Sequence, residues 1–70
     1  MKKNISEQTL IKVLVNLKCL GYMGKFTRCF GEKRRGEILD ILEQRGLVDK
    51  NGDPTDKARP IILHNLALCE

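Results

Sequence analysis

Seventy residues with thirteen Lys and Arg against nine Asp and Glu make a short basic chain of formal net charge +4. That length amounts to one small domain spanning residues 1–70, near the lower limit for a single core, with no room for an enzyme cleft between two domains. Three cysteines are an odd number for a disulfide framework, the N-terminus has no signal-peptide run, and no stretch approaches the ~18 apolar residues of a membrane span, so a reducing cytoplasm is the expected setting.

The first element is the clearest. Asn4 and Glu7 have capping-box spacing, with Ser6 as the competing cap. Leu10, Ile11, Val13, Leu14, Leu17 and Leu20 then recur at helical spacing, Lys12, Asn16 and Cys19 share the other side, and Gly21 supplies a stop. So wide an apolar arc predicts a helix at the centre of the core, or one partly covered by another chain.

Glycines punctuate the stretch Gly21 to Gly31, within which Phe26 and Phe30 stand at i and i+4, the spacing of one short helical turn. The rings belong either to the core or, interleaved with Lys25 and Arg28, to a stacking surface for single-stranded nucleic acid.

A second helix is expected from about Lys33 to Arg45. Ile38, Leu39, Ile41 and Leu42 form its apolar stripe and leave Glu37, Asp40, Glu43 and Gln44 to water. Gly36 and the three cations Lys33, Arg34 and Arg35 work against its first turn, by glycine's backbone entropy and by opposing the helix dipole. A phosphate bound there would satisfy both the free amides and the cations. Gly46 closes the helix, and Leu47 is expected to fold back on it.

Leu47 to Thr55 reads as a small β-hairpin around Asn51-Gly52, limited by Pro54. Thr55 and Asp56 open a last helix that Pro60 must kink or restart. Ile61, Ile62, Leu63, Leu66, Ala67 and Leu68 make the tail so apolar that it needs cover, from the first helix or from a second copy of the chain. A strand starting at Pro60 is also open.

Charge is unevenly placed. Residues 1–21 carry a net +3, residues 22–36 a net +4, and residues 37–70 a net −3. Basic character confined to the first half points to a polyanion partner. Catalytic chemistry is scarce: the chain has one histidine, His64, one serine and no Gly-rich phosphate loop, and it is expected not to be an enzyme. Cys19, Cys29, His64 and Cys69 lack the Cys-x2-Cys spacing of a zinc site, so neither metal nor cofactor is expected.

Leu42-Glu43-Gln44-Arg45-Gly46-Leu47-Val48 and Pro54-Thr55-Asp56-Lys57-Ala58-Arg59 resemble the end of the recognition helix and the start of the following helix in winged-helix regulators of the multiple-antibiotic-resistance (MarR-like) type. The resemblance covers residues 38–59. It implies a mainly α, winged-helix-like domain with three to four helices, a helix-turn-helix, and a short β-hairpin wing. It also implies base contacts from the early recognition helix, here Lys33, Arg34, Arg35 and Glu37. Phosphate contacts would come from Lys12, Lys25 and Arg28, and the wing would offer Lys50 and Asn51.

The leading functional expectation is therefore a small regulatory protein that binds double-stranded DNA, dimeric through its C-terminal segment. The alternative is a winged-helix-shaped protein-interaction module that sets the basic face on an acidic or nucleic-acid-bound partner. No membrane contact is expected.

Overall fold

The computed structural model describes residues 5–69. Helix α1 spans Glu7–Leu20, α2 spans Gly31–Gln44 and α3 spans Arg59–His64, with short 3-10 turns at Lys25–Phe30, Asp56–Ala58 and Leu66–Leu68. Asn4, named above as a cap, lies outside the described residues. Ser6 is the N-cap of α1: its hydroxyl accepts from the Thr9 amide at 3.1 Å. At the other end Gly21 takes φ 82° and its amide returns to the Leu17 carbonyl at 3.2 Å, the left-handed stop that glycine permits.

Helix α1 is central, as the breadth of its apolar arc requires. Leu10, Val13, Leu14 and Val15 are buried, and the helix packs against α2, α3 and the last 3-10 turn. Ile38 and Leu42 of α2, Val48, Ala58, Ile62 of α3 and Met23 complete the core. Each of these Val, Leu, Ile and Met side chains contributes about 1.5–3 kcal/mol by leaving water.

One assignment on α1 is corrected. Asn16 does not face water with Cys19: it is fully buried, and its amide donates to the Lys12 carbonyl at 2.7 Å and the Leu68 carbonyl at 3.3 Å. With neighbours on three sides, α1 has little surface left for a polar stripe, and the tail's backbone carbonyl needs a donor inside the core.

Helix α2 starts earlier than the sequence suggests. The chain turns a corner at Gly31, whose φ of 80° and ψ of 161° lie in a region open essentially to glycine, and α2 then runs through Gly36 without a break. Packing of Ile38 and Leu42 outweighs the roughly 1 kcal/mol that Gly36 costs. The exit matches expectation: the Gly46 amide reaches the Glu43 carbonyl and the Leu47 amide the Leu42 carbonyl, each at 2.9 Å.

The β-hairpin wing is not formed. Among the described residues there is no strand, only an isolated antiparallel bridge between Val48 and Pro54. The turn runs from Asp49 to Gly52, with the Gly52 amide on the Asp49 carbonyl at 2.9 Å, so Lys50 and Asn51 occupy its centre rather than Asn51 and Gly52. Asp49 Oδ1 accepts from the amides of Asn51 and Asp53 at 2.8 and 3.0 Å. A side chain thus satisfies amides that a longer ladder would have used, and Pro54 has no amide to extend one. The mainly helical character of the expected fold stands, whereas the winged-helix-like architecture with a hairpin does not.

The tail is helical. Pro60 sits at the second position of α3, where its missing amide is harmless, and the preceding 3-10 turn takes up the change of direction. Thr55 makes no side-chain cap, and instead its hydroxyl donates to the Gly46 carbonyl at 2.6 Å, tying the start of this last section to the end of α2. No helix among the described residues is long and apolar enough to cross a membrane.

Candidate nucleic-acid interface

The glycine-punctuated segment folds as the sequence spacing requires, a 3-10 turn over Lys25–Phe30 that packs on α2. Gly24, at φ 106°, aims this turn at α1: its backbone passes so close to Asn16 and Phe26 that an added β-carbon would lie 3.2 Å and 2.9 Å from them. Thr27 is buried beneath the turn, its hydroxyl donating to the Gly24 carbonyl at 2.7 Å. Lys25 and Arg28 remain exposed.

Phe26 and Phe30 are half-buried and pack edge to face, their centroids 5.7 Å apart and their planes at 90°. Each ring also carries a cation. The Lys12 ammonium of α1 lies 4.4 Å from the Phe26 centroid, and the Arg34 guanidinium of α2 lies 5.3 Å from the Phe30 centroid. The result is a row of four side chains, Lys12, Phe26, Phe30 and Arg34, drawn from three elements. The rings are thus neither fully core nor an open stacking platform, because a cation takes a face of each.

Flanking Arg34 in sequence, the exposed Lys33 and the half-buried Arg35 lie in the first turns of α2. Among the described residues Lys12, Arg28, Lys33, Arg34 and Arg35 form no ion pair. None of these cations is held against a carboxylate among the described residues. The Nε atoms of Arg34 and Arg35 are shielded from solvent and have no hydrogen-bond partner among the described residues.

Glu37, expected at the surface beside these cations, is half-buried, with its Oε1 shielded. Lys50 and Asn51 are exposed but belong elsewhere. Their turn closes over a surface pocket lined by Gly36, Leu39, Asp40 and Glu43, on the acidic half of α2. The residues singled out in the sequence thus divide into a basic–aromatic cluster and a separate turn beside carboxylates.

Two other surfaces share no residue with the cluster. An apolar groove of about 320 Å³ runs between α1, the end of α2 and α3, lined by Leu10, Ile11, Leu14, Leu42, Leu47, Pro60 and Ile61. Beside it Arg45 makes a two-pronged bond to Glu7, both contacts 2.8 Å. This hydrogen bond outweighs the opposing desolvation and, with the guanidinium charge assisting, holds the Glu7 carboxyl below its ordinary value of 4.5; the same bond raises Arg45. On the far side of α3, Leu63 and Leu66 are 62% and 48% exposed beside Lys18, Asp56 and Arg59. Cys19 and Cys29 are exposed and Cys69 is half-buried, and among the described residues no three His, Cys, Asp or Glu side chains gather as metal ligands would.

Sequence reasoning named Lys12, Phe26, Phe30 and Arg34 separately but missed their assembly. The i, i+4, i+8 spacing of Phe26, Phe30 and Arg34 was the available signal for three of them. Lys12 joins from another helix, and nothing local announces that. Searches of protein-family models, curated proteins and solved structures gave no match to this chain.

Proposed function

We propose that this protein binds duplex DNA, as a small regulatory protein, through the basic cluster at the start of α2. The observation that carries this reading is a set of cations on adjoining elements that form no ion pair among the described residues: Arg28 on the 3-10 turn, Lys33, Arg34 and Arg35 on α2, and Lys12 on α1. Such a field attracts phosphates and releases their counterions. The N-terminal end of α2 adds its dipole, which favours an anion at the place where the cations stand. Asp40 and Glu43 are exposed farther along the same helix and repel a duplex there, so contact is confined to its first turns. Lys25 lies on the same turn as Arg28 and belongs to this face, whereas Lys50 and Asn51, beside carboxylates, contribute less.

The test is a fluorescence-anisotropy titration of random-sequence duplex at low and physiological salt, with wild type and the Lys25→Ala/Arg28→Ala/Lys33→Ala variant. All three positions are exposed, so the fold should survive. Salt-sensitive binding that the variant loses, at unchanged helical circular dichroism, supports the reading. No binding at low salt sinks it and leaves the basic face as a contact for an acidic protein partner.

We also propose that two copies meet through the exposed Leu63 and Leu66, where large apolar side chains stand in water. Sedimentation of wild type beside Leu63→Asp tests it. A monomer at all concentrations in both would exclude the dimer.

A further inference from the structure

We infer that Lys12 belongs to the DNA-contacting face and that Phe26 and Phe30 are its positioning residues, holding Lys12 and Arg34 toward the phosphodiester backbone of a duplex. This rests on the duplex-binding reading, which already counts Lys12 and Arg34 among its cations, and adds to it the mechanism that places them.

A cation on a surface can be held in two ways. A carboxylate fixes it but cancels its charge, and a ring fixes it through the quadrupole and leaves the charge whole. Lys12 and Arg34 are held in the second way, 4.4 Å and 5.3 Å from their ring centroids, and neither is in an ion pair among the described residues. The Arg34 Nε is shielded and has no hydrogen-bond partner among the described residues, and the Phe30 ring is the contact on which its guanidinium lies. The rings in turn are fixed. They pack edge to face at 5.7 Å against the core, on a turn that Gly24 and the buried Thr27 anchor.

Two flexible side chains from α1 and α2 have therefore already given up much of their rotamer freedom on one face, where a phosphate strand would otherwise have to order them. Because a cation covers a face of each ring, the fitting partner is the phosphodiester backbone rather than an unpaired base.

The experiment measures duplex affinity against salt concentration for wild type, Lys12→Gln, Phe26→Leu/Phe30→Leu and the triple combination. Lys12→Gln removes one phosphate contact, so the slope of log K against log salt should fall by about 0.9. Phe26→Leu/Phe30→Leu keeps apolar bulk but frees both cations, so affinity should drop about threefold to tenfold. Adding Lys12→Gln to it should then cost less than Lys12→Gln costs alone, a coupling that a merely structural role for the rings would not produce.

If wild type binds duplex and Lys12→Gln leaves the slope unchanged, or the effects of Lys12 and the rings simply add, the inference is overturned while duplex binding stands. That first arm needs no ring substitution, so it decides even if the double variant unfolds. Tighter binding of single strands that is lost with the rings also overturns it, in favour of base stacking. Absence of duplex binding by wild type removes the inference together with the function it rests on.

Discussion

Two glycines five positions apart on α2 should respond to the same substitution with opposite signs. Gly31 holds φ 80° and ψ 161°, whereas Gly36 is exposed inside the helix with no positive φ. A β-carbon added at either meets nothing within 4 Å, so neither variant is complicated by a clash. At Gly31 the penalty is conformational alone, about 1–3 kcal/mol for a residue forced into that region, offset by about 0.4–1 kcal/mol from the stiffer unfolded chain. A net loss of about 1–2 kcal/mol lowers the melting temperature of a domain this size by roughly 4–16 °C. Gly36→Ala removes the entropic cost of glycine in a helix and should gain about 0.5–1 kcal/mol, raising the melting temperature by roughly 2–8 °C. Urea denaturation and thermal circular dichroism on both variants, with comparable m-values, provide the measurement. A Gly31→Ala protein as stable as wild type would refute the corner at residue 31, and a destabilised Gly36→Ala would show that α2 does not run unbroken through that position.

Asn16→Ala should cost about 1–3 kcal/mol in urea denaturation, because the Leu68 carbonyl loses a buried donor, and amide exchange should speed up in the 66–69 turn. Glu7→Gln tests the ion pair through pH. The folded carboxyl titrates below its ordinary 4.5, so the pair's contribution is complete above that value and disappears as pH falls through the lower folded value. The stability difference between wild type and Glu7→Gln should thus be constant near neutrality and vanish in acid. A difference that persists in acid after the folded carboxyl has been protonated would contradict the assignment.

The helical content and its end points were legible wherever local chemistry decides them. Ser6, Gly21, Gly46 and Pro60 each act through groups within a few residues, and each does in the structure what its type dictates. Asn16 was misread because its polar side chain suggests a wet face, and only the packing of the tail against α1 shows that it lies inside. The wing was misread because Asn-Gly is a strong hairpin signal, while the competing capture of two amides by Asp49 depends on the turn already being made. At the candidate interface the cations were visible as a charge run. Their grouping around two rings was not, since Lys12 stands fourteen positions before Phe26 and reaches it only once α1 and the 3-10 turn have packed.

The bond from Asn16 to the Leu68 carbonyl spans 52 positions of a 70-residue chain. On a ribosome adding about 5–20 residues each second, α1 exists for roughly 3–10 s before its partner is synthesised. During that interval Val13, Leu14 and Val15 have only part of their core to enter until Ile62 of α3 is made, and the Asn16 side-chain amide lacks the Leu68 carbonyl. Closing so long a loop makes folding wait on the residues around Leu68. The nascent chain therefore carries an apolar helix in need of shelter until the residues around Leu68 have been made.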